Sequence, residues 1–284
     1  MESPDNGVNR TVLVRKSRWH LLPLALFIIM PVTFVVSYVV AVLNNHVYPA
    51  FPYISDTGSK APESCIFGQL LNLCAVLVGL IVYLRFKQLK LLYGRPELSI
   101  ILMRVNLVAF ITGLIAAFGV TMVANFQESS AYNVHMFGAL MTFGCGLSFC
   151  GLHTVLSYKL CPLINPRWLC HVRCILTLVT LLFMILMFVA GVLSLPQFSG
   201  SDKNMWSPDI PGYDVHVIST SSEWVMAMGL LGFFLTFMFD FRNFRVKAPK
   251  LFCDMAIPDV RYQMNGEQIA VDHQGMAEDT AMIA

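Results

Sequence analysis

Six long apolar runs leave this chain little choice of architecture: roughly Leu21–Leu43, Ile66–Leu84, Val105–Ala124, Met136–Ser157, Ile175–Leu195 and Val217–Phe239. Each is close to the roughly 20 residues that a helix needs to cross a hydrocarbon core. A helix also satisfies its own backbone polar groups there. The basic residues are sorted by these runs. Seventeen of the 19 Lys and Arg residues fall in the N-terminal tail, the second and fourth connections and the C-terminal tail. Only Lys60 and Lys203 fall in the first and fifth connections, and the third, Asn125–His135, has none. Short loops rich in Lys and Arg stay on the cytosolic side. The sequence therefore predicts an all-α polytopic membrane protein, a bundle of six transmembrane helices with both termini cytosolic.

The composition agrees, at 56% hydrophobic and 13% charged, against about 25% charged in soluble domains. It divides into a cytosolic N-terminal tail (1–19), a membrane domain (20–245) and a polar C-terminal tail (246–284) expected to be disordered. The first run outlasts a signal-peptide core and no small-x-small cleavage pattern follows it, so it reads as a retained anchor. The sequon Asn9-Arg10-Thr11 then lies in the cytosol and should be unused. The odd connections hold Asp56, Glu63, Glu128, Asp202, Asp209 and Asp214 against two lysines, making the non-cytosolic face acidic. Of eight cysteines only Cys65 is near that face, so no stapled ectodomain is expected. Cys161, Cys170, Cys174 and Cys253 sit near cytosolic span ends as acylation candidates or plain small residues. No Cys/His spacing matches a zinc site, and no metal or cofactor is expected.

Helices in lipid associate through small residues. The third run repeats them every four positions, at Ala109, Gly113, Ala117 and Thr121, and ends at Asn125. The fourth has Gly138, Thr142, Gly144 and Ser148; the second has Gly68, Asn72, Ala75 and Gly79. These three spans are expected at the bundle's centre, with Asn72 bonded to another helix. Ionisable residues within spans are few. Arg104 snorkels at an end, His153 lies about one turn from the cytosol, and Glu223 lies about two turns inside the last span. An intramembrane acid is a functional candidate by default. No row of paired acids or filter-like sequence supports a pump or potassium pore.

The first connection has the most specific local sequence, with Pro52, Tyr53, Ser55, Asp56, Thr57 and Gly58 followed by Glu63. Prolines stiffen it, and Asp-Thr-Gly has turn chemistry. An aspartic protease needs a second facing Asp, and this chain has no second such tripeptide. Glu63 is placed to open the second helix near its positive dipole end. Phe51 and Tyr53 read as interfacial anchors.

The chain resembles the damage-regulated autophagy modulator family. The matching stretches are Ser37-Tyr-Val-Val-Ala-Val42, Pro52-Tyr-Ile-Ser-Asp-Thr-Gly58, Pro62-Glu-Ser64 with Ile66-Phe-Gly68, and Val123-Ala-Asn-Phe-Gln-Glu128. Further matches are His135 with Gly138-Ala139, Leu156-Ser-Tyr-Lys159, Trp206-Ser-Pro208, Tyr213 with His216, and Glu223-Trp224. The resemblance implies a six-span protein of lysosomal and related endomembranes that promotes autophagy without being an enzyme, with a link to stress-induced cell death. The wider superfamily includes glycosylphosphatidylinositol-anchor lipid remodelling proteins, so lipid handling in the secretory pathway is the alternative and an ion-conducting subunit the third. Golgi or plasma membrane is the alternative location. The expected partners are the bilayer, anionic lipids on the basic cytosolic face, and proteins not identified by sequence; nucleic acid is not among them.

Two further expectations concern charge and sorting. His46, His135 and His216 fall at non-cytosolic span ends beside acidic loops, with Glu223 just below. An unperturbed imidazole titrates at about pH 6.5, so these four are candidates for a pH-responsive lumenal cluster in which a protonated His such as His216 keeps Glu223 ionised; the alternative is that the histidines are plain interfacial polar residues and Glu223 bonds a neighbouring helix. The C-terminal Glu278-Asp-Thr-Ala-Met-Ile283 resembles an acidic dileucine signal, with Met282 and Ile283 as the sorting pair or as part of a solvated tail.

Overall fold

The structure is a computed structural model that describes residues 18–92, 100–162 and 164–242. Every regular element among them is helical: α1 (Leu21–Leu43), α2 (Glu63–Leu92), α3 (Ile100–Asn125), α4 (Tyr132–Leu140), α5 (Gly146–Lys159), α6 (Arg167–Ser194) and α7 (Tyr213–Phe241). A π-helical turn, Met141–Cys145, joins α4 to α5 into one kinked span, which leaves six helical spans long and apolar enough to cross a membrane. Residues such as Val76, Phe118, Leu178 and Val192 are exposed on the outside, as a lipid-facing belt requires.

Neighbouring helices close a ring. α1 packs on α2 and α7, α2 on α3, α3 on the kinked span, α5 on α6, and α6 along α7. The centre differs from the sequence expectation. Of the most apolar stretch of each helix, 61% is buried in α7, 50% in α2 and only 33% in the kinked span, with 11% in α6. α7 takes the middle because it carries small and hydroxyl residues, Ser219, Ser222, Ala227 and Gly229, above a fully buried aromatic run at Phe233, Phe237 and Phe241. Phe149 of α5 stacks on Phe234 with centroids 5.3 Å apart.

The small-residue stripes divide into contact and non-contact positions. A Cβ on Gly113 would lie 2.8 Å from Val82, and one on Gly68 2.8 Å from the Ala124 carbonyl oxygen. Ala109 and Ala117 are buried beside Gly113. α3 and the kinked span also cross closely: a Cβ on Gly119 would lie 2.6 Å from Thr142 N, and one on Gly138 2.6 Å from Met122 Cβ. Gly79 faces open space and Ser148 is exposed, bonding only its own helix at Gly144 O. Those two positions do not pack on another helix, contrary to expectation. Asn72 and Asn125 exchange two side-chain amide hydrogen bonds, both 3.0 Å, across α2 and α3.

Candidate functional site

One end of the bundle, the acidic face bearing the first, third and fifth connections, is closed by the first connection itself. Residues Asp56–Gly58 form a 3-10 turn buried against the helices. Gly58 fits because a Cβ there would lie 2.5 Å from the Phe67 ring. Thr57 Oγ1 donates to Ile54 O at 2.7 Å and meets Ser37 Oγ of α1 at 3.0 Å. Ser55 Oγ donates to Glu128 at 3.0 Å, and Ser129 Oγ donates to Ser59 O at 3.2 Å.

α7 supplies the strongest ties to this plug. Glu223 Oε2 accepts the Ile54 backbone N–H at 2.6 Å, and Trp224 Nε1 donates to the Pro52 carbonyl at 2.9 Å. Trp224 also meets Phe34 and Tyr38 of α1 edge-on. Tyr53, expected as an interfacial anchor, instead turns inward: its hydroxyl meets Ser219 Oγ at 2.6 Å, and Ser219 Oγ donates to Met187 O of α6 at 2.6 Å. The phenol is thereby tied to α7 directly and to α6 through Ser219. Burial pushes the Tyr53 hydroxyl well above its ordinary pKa. Phe51 does stay exposed.

Of the four expected cluster residues, His135, His216 and Glu223 line one cavity, while His46 lies apart from them. His46 Nδ1 pairs closely with Glu63 Oε1, whose carboxylate is fully buried in the first turn of α2. His135 Nδ1 donates to the Phe126 carbonyl at 2.7 Å, which leaves Nε2 toward Glu128 at 4.0 Å. His216 does not reach Glu223. Its ring stacks on Trp206 at 4.2 Å and meets Tyr53 edge-on at 5.3 Å. The physical reason is spacing: His216 and Glu223 lie seven positions apart on one helix, about 10 Å along its axis. Trp206 is held by its Nε1–H on Pro211 O at 3.2 Å. Gly212 then turns the chain into α7 at φ +81°, where a Cβ would lie 2.8 Å from Gln197 Cβ.

Two cavities meet at the plug. One of about 110 Å³ is lined almost wholly by apolar residues, with His135 and Glu223 at its polar edge. The other, about 550 Å³, lies between the kinked span and α6 and reaches Asp56, Glu128, His135, His216 and Glu223. Asp56 is buried, and its carboxyl is pushed above the usual range by desolvation and by the charges of Glu128, Glu223 and Asp202.

The opposite end holds a charge knot that sequence reading missed. Asp240 of α7 takes Arg85 Nη1 of α2 on Oδ1 at 2.8 Å and Arg173 Nη2 of α6 on Oδ2 at close range. All three side chains are fully buried. Arg173 Nε donates to Thr236 Oγ1 at 2.9 Å and Nη1 to Ser157 Oγ at 2.7 Å. Gln88 accepts from Arg85 at 2.8 Å and donates to the Asp240 carbonyl at 2.9 Å. With its amide oriented to satisfy both neighbours, Asn165 donates to Asp240 Oδ1 at 2.9 Å. Both guanidiniums lie on the Phe237 ring, at 5.5 and 5.0 Å from its centroid. One carboxylate between two cations leaves net positive charge in the interior, and the ring's negative face offsets part of it. Arg85 and Arg173 thus leave the basic surface to which sequence reading assigned them. The clue was Asp240 itself, an acid at the end of an apolar span.

Other candidates fall as follows. Cys170 is buried, with its thiol on Ser157 O at 3.3 Å, so it is no acylation site. Met282, Ile283 and Cys253 lie outside the described residues. Among the described residues no group of three or more His, Cys, Asp or Glu could hold a metal.

A closed six-helix bundle with a folded plug at its acidic end and a buried ion cluster at the other defines a polytopic membrane protein. The chain belongs to the Frag1/DRAM/Sfk1/Cwh43P N-terminal domain family, which it matches over residues 18–244. It is 38% identical over 230 residues to bovine (Bos taurus) DNA damage-regulated autophagy modulator protein 2, covering 80% of this chain and 85% of that one. It is 40% identical over 211 residues to human (Homo sapiens) DNA damage-regulated autophagy modulator protein 1, covering 74% and 85%. The zebrafish (Danio rerio) modulator of macroautophagy TMEM150B is 36% identical over 173 residues, covering 60% of this chain and 72% of that one. No solved structure matches the chain.

Proposed function

We propose that this protein is a non-enzymatic modulator that promotes autophagy from the endolysosomal membrane, with both termini in the cytosol and the acidic face toward the lumen. One observation carries the reading: the similarity to proteins named as autophagy modulators, at 38% and 40% identity, runs through most of the chain rather than one short motif. The orientation rests on the 17-to-2 partition of basic residues and the positive-inside bias. On the cytosolic face Lys87, Lys90, Arg104, Lys159, Arg167 and Arg242 are exposed. Each contributes about 1 kcal/mol toward anionic lipid when near the surface. The protein acts there as a platform for partner proteins.

The test is the location of the endogenous protein together with autophagic flux in a deletion. Co-fractionation with lysosomal membranes and reduced flux on deletion are expected; unchanged flux contradicts the reading. Sequons engineered after Lys60 and after Lys203 should acquire glycan while Asn9 does not, and glycan on Asn9 reverses the orientation.

A further inference from the structure

We infer that the larger cavity is a binding site for a membrane-resident, single-chain lipid with a primary ammonium headgroup, entering sideways from the bilayer between α4 and α6. This deepens the proposed function by assigning a ligand class, and it rests on the six helices being spans. Its volume of about 550 Å³ falls within the roughly 300–1,000 Å³ typical of small-ligand sites.

The walls specify an alkyl chain. Phe137, Leu140 and Phe143 line one side, and Phe188, Val192 and Leu195 the other. Leu140 is 57% exposed and Val192 71%. These residues sit on helices apolar enough to span the membrane, so the mouth faces lipid tails. The gap exists because α4 packs on α3 while α6 packs on α7, and the two hardly touch each other. The π turn at Met141–Cys145 contributes Phe143 to the cavity wall where α4 gives way to α5.

The inner end specifies a cation. Three carboxyls, Asp56, Glu128 and Glu223, line it against one lysine, Lys203, and the imidazoles of His135 and His216. Glu223 is only 7% exposed. It spends Oε2 on Ile54 N–H, and among the described residues no hydrogen bond is made to its Oε1. Glu223 lines the cavity, and a carboxylate oxygen without a protein donor is available to a donor from a ligand. The Asp56 carboxyl accepts a hydrogen bond from the Tyr53 backbone, and its neighbours Glu128 and Glu223 repel its charged form. An ammonium has three donors and no acceptor, so it suits Glu223 Oε1 and relieves the repulsion among the three carboxyls. A fatty acid or phosphate headgroup brings the wrong sign.

The test uses the full chain in lipid nanodiscs and a long-chain primary amine carrying a photoreactive diazirine in its alkyl chain. Crosslinks are mapped by mass spectrometry. Labelling is expected to concentrate on peptides containing Phe137–Phe143 and Phe188–Leu195. It should be competed by unlabelled amine of the same chain length, and not by the corresponding alcohol or carboxylic acid. Glu223→Gln keeps an acceptor for Ile54 N–H but loses the charge, and should reduce labelling about tenfold. Val192→Trp, which fills the mouth and leaves every charge in place, should reduce it comparably at unchanged thermal stability. Even labelling of all lipid-facing surfaces, equal competition by the alcohol, or full labelling of both variants overturns the inference. Because binding is read on purified protein, a negative result here leaves the cellular role to be decided by flux.

Discussion

Glu223, nearly three turns inside α7, accepts the backbone N–H of Ile54 at 2.6 Å. A buried acid thus performs the work of a backbone acceptor and fixes the first connection to the central helix. Glu223→Ala leaves that buried N–H unsatisfied and should cost about 1–3 kcal/mol, whereas Glu223→Gln retains an oxygen and should cost less. Thermal unfolding in nanodiscs separates the two, and equal stability of both variants contradicts the assignment.

The ion knot predicts a larger effect from a smaller change. Asp240→Asn removes one charge and leaves Arg85 and Arg173 facing each other in the interior. Breaking a buried pair in this way costs about 3–5 kcal/mol. Phe237→Leu keeps the ion pairs and loses only the ring beneath the two guanidiniums, so it should be milder. Expression level and melting temperature of the two variants rank them.

Glycine contacts give a graded series. Gly113→Leu drives a side chain into Val82 and Phe149, and overpacking of this kind costs about 1–3 kcal/mol or more. Gly119→Ala already meets backbone atoms of the kinked span and should destabilise. Gly79→Ala enters open space and should be neutral or stabilising by about 0.5–1 kcal/mol, since Ala favours helix. Equal melting temperatures across the three contradict this reading of the interfaces.

Much of this architecture is legible in one dimension. α1 begins and ends at the bounds of its apolar run, Leu21 and Leu43. The others extend beyond theirs: the run Ile66–Leu84 becomes α2, Glu63–Leu92. Hydropathy measures the apolar core of a span and says nothing of how far the helix continues past it. That is why Arg85 and Arg173 read as loop charges when both lie on inward faces of extended helices. Asn72 was legible because an amide in lipid needs a partner. The plug was legible only as a distinctive loop: turn chemistry marks Asp56-Thr-Gly58, but its direction depends on Glu223 and Trp224, 165 or more positions away. The π turn carries no compositional mark at all.

Docking of the folded first connection, in which Asp56 is buried, is expected to respond to pH through that residue. Burial and the carboxylates of Glu128, Glu223 and Asp202 raise the Asp56 pKa above its unfolded value. The neutral acid is therefore favoured when docked. Its contribution to docking is complete below the ordinary carboxylate range and is lost as pH rises through the raised folded value. Lys203, His135 and His216 line the same cavity. Amide hydrogen exchange of residues 53–59 in nanodiscs, corrected for intrinsic rates, measures this directly at pH 5 and 7.4. Protection is expected at both values, greater at pH 5, with the difference abolished in Asp56→Asn. Exchange at the rate of an unstructured loop, or greater protection at pH 7.4, contradicts it.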